Sequence, residues 1–295
     1  MSEFEITWPS GVRAAAAFTF DVDAESCALA HDPALARRTS VMSHQSYGPR
    51  VAVPRILDIL DGHGVRATFF VPGYTAELYP DTVRAIAERG HEIAHHGYLH
   101  ENMLGLDEAE ELAVLDRGLD VLRDVAGVVP TGYRAPWWEM NWHTPKLLAE
   151  RGFRYDSSLL DGDRPYRFTA AAGADLIEIP VDWALDDWEQ YAFFPGWTGS
   201  GVIEDPDKAT GMWYREAAAH HRWGGCFVLT NHPFLSGRPG RAHALDELIG
   251  RVAALEGMWV TTLAEIAEQA WSTCTATFTH LRPEMPAPTR APGQP

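Results

Sequence analysis

The sequence predicts an α/β fold in which strands and helices alternate, and three observations carry that expectation. Continuous apolar runs of about four to eight residues recur along the chain, separated by longer stretches whose apolar positions repeat with helical spacing. Gly90, Gly127 and Gly152 stand where those helical stretches would end. Polar residues follow the apolar runs at several of their C-terminal ends, the rim on which a parallel α/β sheet gathers its chemistry. Seven or eight such units fit either an open doubly wound sheet or a closed barrel, and periodicity alone does not separate them.

The first strand is expected over 14–20 (AAAAFTF), apolar throughout and so suited to burial on both faces. A helix at about 50–62 leads to a strand at 66–71 (RATFFV), and a helix at 76–89 ends at Gly90 before a strand at 91–95 (HEIAH). The helix over 107–126 carries its own punctuation, since Asp107 with Glu110 three residues later forms an Asp-type capping box and Gly127 stands just past its end. Strands at 131–135 and 153–157 bracket a helix at 144–151. Strands at 176–180 (LIEIP), 226–231 (CFVLTN) and 258–262 (MWVTT), with helices at 208–222, 243–255 and 263–271, complete the series. The stretch 158–207 is long, aromatic and irregular, and is expected to form loops that cover a pocket. A single domain over 1–271 is expected, with a Pro-rich tail over 272–295 that is disordered or lies on a neighbour.

Composition excludes several classes of function. The 295 residues carry 24 basic against 41 acidic side chains, a net charge of −17, and the basic residues are scattered singly. Such a chain repels a phosphate backbone, so nucleic acid is not the expected partner. No stretch approaches about 18 consecutive apolar residues, and the first residues lack a basic and apolar leader, so a cytoplasmic protein without a membrane span is expected. Cys27, Cys226 and Cys274 are odd in number and at unrelated spacings, which implies neither a disulfide framework nor a cysteine metal site. Aromatic loops and the Pro-rich tail are surfaces that a monomer would expose, so a homo-oligomer, a dimer or tetramer, is expected.

The residues at the strand ends suggest a metal. Asp21 and Asp23 in FTFDVD lie two apart, so on an extended chain their carboxylates leave the same face, roughly 7 Å apart. The stretch GHEIAHHGYLHEN offers two registers of paired histidines, His91 with His95 and His96 with His100. The first spells H-E-x-x-H, but that chemistry needs a helix, and on a strand the two rings would stand about 13 Å apart. In the second, Gly97 lets the chain leave the strand and turn, so that His96 and His100 converge, and Asp23 completes a site of two imidazoles and one carboxylate. Zn suits such a site first, while Co, Ni, Mn and Fe accept the same donors. His91 and His95 are then packing residues.

The ordered set FDVD, HHGYLH, YRAPWW, YDSSL and LTNHP resembles the five motifs of the polysaccharide deacetylase superfamily, carbohydrate esterase family 4, over about residues 14 to 262. The resemblance implies a distorted (β/α) barrel of seven or eight strands and hydrolysis of an amide carbon–nitrogen bond by water activated at one divalent metal ion. By motif position Asp21 would be the general base, Asp23, His96 and His100 the metal ligands, Arg134 the group that holds and tunes the base, and His232 the general acid. Asp156 would bond within the site, to substrate or to His232.

Two departures bear on the substrate. The secreted sugar deacetylases of the family usually carry two adjacent aspartates followed by Gly in the first motif, whereas this chain has Val22 between them and Ala24-Glu25 after. The spaced form is similar to an intracellular branch that holds peptidoglycan deacetylase-like proteins and hydrolases of small cyclic or ureide amides, such as allantoinase and cyclic imide hydrolases. Trp137, Trp138 and Trp183, with Trp142, Trp188 and Trp197, would form a platform for a sugar ring or close a pocket on a planar imide. Asp182, Asp186 and Asp187 read as a solvated acidic loop. A non-catalytic sugar- or imide-binding protein on the same fold is the competing class, and it gives no reason for a base and an acid around a metal.

Overall fold

The structure is a computed structural model that describes residues 6–171, 173–194, 198–199 and 202–283. The strands are β1 (Ala14–Asp21), β2 (Thr68–Val71), β3 (Glu92–His95), β4 (Gly132–Tyr133), β5 (Tyr155–Asp156), β6 (Tyr166–Ala171), β7 (Ala174–Glu178), β8 (Phe193–Phe194), β9 (Thr198–Gly199), β10 (Cys226–Asn231), β11 (Met258–Val260) and β12 (Thr277–Phe278). Ten of them form one sheet in the order β10-β1-β2-β3-β4-β5-β7-β6-β12, with β11 also paired to β1. Every pairing in it is parallel except β6 with β7. All eight expected strands are present. The pairing is an open path, and strand pairing that would close it into a ring is not found among the described residues. The free edge of β10 is met instead by the Asp186↔Thr230 bridge and by Cys226 N–H donating to the Asp163 carbonyl at 2.9 Å.

β1 is the central strand because its small residues let both faces be covered. Ala16, Phe18 and Phe20 join the core under helix Val53–His63, whereas Ala15 and Ala17 face a second core with Phe70, Ile177 and helix Leu263–Thr273. The helix over Glu108–Ala126 begins at the expected capping box and ends at Gly127, φ 67°. The expected helix 76–89 is two helices, Gly73–Leu78 and Pro80–Glu88, because Pro80 opens the second. Helix Pro206–Trp223 is capped by Asp205, which accepts the N–H groups of Asp207 and Lys208.

Two expectations on boundaries are corrected. Beyond the strand expected at 176–180, the stretch 158–207 holds β6, which pairs with β7 as an antiparallel hairpin where loop was expected. Nor does packing stop at residue 271: Cys274 is buried and β12 pairs with β6 in parallel, beyond the boundary expected for the tail. Residues 284–295 of that tail lie outside the described residues.

The register positions the site. Phe20 pairs with Asn231 and Asp21 with Phe70, Val71 with His95, His95 with Tyr133, and Tyr133 with Asp156. The parallel strands β10, β1, β2, β3, β4 and β5 therefore end nearly level, and the residues just past their ends meet at a single rim.

Candidate active site

The chain leaves β1 at Asp21, β3 at His95, β4 at Tyr133 and β10 at Asn231, and the next residues carry the polar groups. Asp23, His96 and His100 converge, with one donor atom from each lying within 4.8 Å of the others. His96 Nε2 stands 3.6 Å from Asp23 Oδ1 and His100 Nε2 stands 3.5 Å from Asp23 Oδ2. Gly97, φ 71°, makes the turn that brings the two histidines together. His96 Nδ1 donates to the Arg134 carbonyl at 2.7 Å, which fixes the ring and leaves Nε2 as the free donor atom. H-E-x-x-H fails for the expected reason: its residues form β3, and His95 turns away to donate from Nε2 to the Leu115 carbonyl at 3.1 Å. Gly118 accommodates that ring, because a Cβ there would meet His95 Nε2 at 2.2 Å.

These three residues fit a cation. Both carboxylate oxygens of Asp23 are buried and neither accepts a hydrogen bond. Burial raises the Asp23 carboxyl well above the usual range; His232 opposes the rise, and Asp21, Asp186 and Asp187 add to it. Burial also pulls His96 down to about 3 and His100 well below the ordinary histidine range, so both rings are held neutral with lone pairs available. A desolvated carboxylate without a donor, among further carboxylates and neutral imidazoles, is short of positive charge. A divalent ion supplies it.

On one side of this group lies Asp21. Arg134 Nη1 donates to Asp21 Oδ1 at 2.8 Å and to Thr19 Oγ1 at 2.9 Å. The guanidinium is itself clamped by Ser157, with Nε donating to its carbonyl at 3.0 Å and Nη2 to its hydroxyl at 3.1 Å. It is fully buried over the ring of Phe70. Asp21 is thus fixed through one oxygen, while its Oδ2 faces the group at 3.8 Å from His96 Nε2.

On the other side lies His232, whose Nε2 is 3.6 Å from Asp23 Oδ2. Its Nδ1 meets Asp187 Oδ1 at 2.7 Å, and its backbone N–H donates to the same oxygen at 2.9 Å. Burial pulls His232 down, but Asp186, Asp187 and Asp23 outweigh it and push it up to about 10. Asp186 is pushed up to about 7 by burial, against the pull of His232. The acidic loop reading is therefore corrected: Asp182 is exposed, whereas Asp186 and Asp187 are buried and hold His232. Desolvated carboxylates persist there because the imidazole, the Ser236 hydroxyl and backbone N–H groups satisfy them.

A cavity of about 260 Å³ opens on this group, walled by Trp137, Trp138, Trp183, Trp188 and Glu189. Trp138 and Trp183 lie with ring centroids 4.4 Å apart at 30°, Trp137 packs on His100, and Trp188 packs on His232. Trp142 is exposed and does not line the cavity, and Trp197 lies outside the described residues. Asp156 is also not in the cavity: it is buried, and its Oδ1 accepts from the Ser158 hydroxyl at 2.8 Å. The expectation that Asp156 contacts substrate or His232 is corrected, since Asp187 occupies that place on the ring. Positive φ at Ala24, His100, Trp137 and Trp138 means that every non-glycine residue in the left-handed region, among the described residues, belongs to the loops forming this site.

Residues 37–155 match the family model for polysaccharide deacetylase. A peptidoglycan deacetylase of Helicobacter pylori is 30% identical over an alignment of 257 positions that covers 77% of this chain and 86% of that protein. The chain belongs to the polysaccharide deacetylase family. A solved structure from Mycobacterium smegmatis assigned to the polysaccharide deacetylases is 56% identical, superposes with a TM-score of 0.94, and covers 96% of this chain and 98% of its own. The crystal structure of an allantoinase shares the fold, with a TM-score of 0.79 at 24% identity over 90% of this chain and 93% of that one. As a member of the polysaccharide deacetylase family the chain is a hydrolase of carbon–nitrogen bonds other than peptide bonds, in a family that depends on a metal ion. No helix among the described residues is long and apolar enough to cross a membrane.

Proposed function

We propose that the protein removes the N-acetyl group of an amino sugar, with one divalent cation, zinc first among the candidates, held by Asp23, His96 and His100. The observation that carries this reading is the buried, donor-free Asp23 carboxylate set between an arginine-held aspartate and an aspartate-held histidine. Such a cation, when bound, makes water more acidic and polarises the acyl carbonyl. Asp21, its Oδ1 pinned by Arg134, presents Oδ2 to take the proton from the attacking water. His232, kept protonated by Asp186 and Asp187, hands its proton to the departing nitrogen as the carbon–nitrogen bond breaks. Water oxygen bonds to the acyl carbon, and the products are acetate and a free amine. Trp137, Trp138 and Trp183 offer flat apolar faces to the sugar ring.

A second reading, ring opening of a small cyclic amide, is favoured by the limited volume of the aromatic cavity, about 260 Å³. Metal content is measured first, followed by hydrolysis of N-acetylglucosamine oligomers against hydantoin, succinimide and allantoin, before and after chelation. Metal-dependent acetate release upholds the deacetylase reading, ring opening without acetate replaces it with the cyclic amide reading, and loss of neither activity on chelation overturns the metal assignment. A cytoplasmic location belongs to the same proposal, supported by three buried free cysteines. So does a homo-oligomer, which light scattering of the purified protein tests.

A further inference from the structure

The cavity walls are rich in carboxylates, and the one cationic side chain lining them among the described residues, His232, is already paired with Asp186 and Asp187. Among the described residues lining it are four carboxylates, Asp21, Asp23, Asp186 and Glu189, and no lysine or arginine. Three of the four are committed: Asp21 to Arg134, Asp23 to the proposed cation, and Asp186 to the Trp188 N–H beside His232. Glu189 differs. It lies on the short helix Trp188–Tyr191 at the exposed mouth, and no described residue gives it a hydrogen bond or an ion pair. Arg134 is fully buried behind Asp21 with its N–H groups spent on Asp21, Thr19 and Ser157, so it offers nothing to a substrate anion.

We propose that Glu189 sets the charge preference of the cleft, admitting neutral N-acyl amides and those with a neighbouring ammonium group while refusing those with a carboxylate beside the acyl group. The inference rests on the cleft being the substrate site of an amide hydrolase. The proposed cation is faced by Asp23 and the His232 imidazolium by Asp186 and Asp187, so at the mouth an incoming carboxylate would meet the unpaired Glu189 first, whereas an ammonium would find in it an unshared partner. In the proposed substrate class, an amino sugar with a free lactyl acid is refused and its uncharged ester is accepted.

The test compares N-acetylmuramic acid with its methyl ester, which keeps the shape and removes the charge. Both kcat/KM and binding, read by quenching of the cleft tryptophans, are measured for the native chain, Glu189→Gln and Glu189→Lys. The native chain is expected to prefer the ester about tenfold, the size of one solvent-screened charge pair, with the ratio shrinking in about 0.5 M salt. Glu189→Gln is expected to bring the ratio to within about twofold, and Glu189→Lys to reverse it. An unchanged ratio in both variants overturns the proposal. If nothing is turned over but the binding ratios shift as expected, the charge preference stands and the deacetylase reading fails instead.

Discussion

Replacing Asp187 by asparagine tests the acid side of the site with little change of shape. Asp187 Oδ1 accepts from both the His232 backbone N–H, at 2.9 Å, and His232 Nδ1, at 2.7 Å, while Oδ2 accepts from the Ser236 hydroxyl. An asparagine can keep its Oδ1 on His232 and turn its amide to Ser236, whose hydroxyl then accepts instead of donating, so the shape is kept and the negative charge that helps keep the ring protonated is gone. Trading charged for neutral buried hydrogen bonds costs about 1–2 kcal/mol. Loss of a working general acid removes about 10²–10⁴ from the rate. The expected result is a fall in kcat of about 100-fold or more with KM little changed, a melting point lower by a few degrees, and full metal content, because Asp23, His96 and His100 are untouched. Acetate release, metal analysis and thermal unfolding on the same preparation read all three. If Asp187→Asn binds metal fully and keeps kcat within about threefold, His232 is not a proton donor held by Asp187 and the assignment of roles falls.

Asp21→Asn should retain metal and lose turnover, whereas His96→Ala should lose the metal; metal analysis beside acetate release separates them, and full activity of the first or full metal in the second contradicts the reading. Trp183→Ala strips the exposed partner from Trp138 and should raise KM roughly two- to tenfold with kcat held, as the loss of one aromatic contact predicts; an unchanged KM removes the residue from the substrate site. Away from the site, Asp107→Ala deletes the capping box of helix Glu108–Ala126 and should cost about 1 kcal/mol, or about 2 °C in melting point, at unchanged kcat.

How much of the molecule is legible in its sequence depends on how local each cause is. Strand ends are legible because an apolar run leading into Asp21, His96, Arg134 or His232 is visible within a few residues, and parallel register then brings such ends together whatever the intervening loops do. The capping box at Asp107 is equally local. Asp156 and Asp187 are misread together, and for one reason: proximity in the chain suggests a role for each aspartate, but partners are chosen across the sheet. Asp156 lies opposite Glu178 on the neighbouring strand, where Glu178 accepts the N–H groups of Ser158 and Leu159 and secures the turn that clamps Arg134. Asp187 reaches His232 only because Thr230 of β10 bridges to Asp186, a contact between residues more than forty apart that no spacing announces. The one available signal is the pair of adjacent aspartates with Trp188 directly after them in DDW, set in an aromatic and apolar stretch where solvated carboxylates have no reason to be. The same long-range logic makes the clamp a positioning device: Glu178 and Asp156 hold the Ser157–Ser158 turn, the turn holds Arg134, and Arg134 holds the oxygen of Asp21 that does not face the cavity.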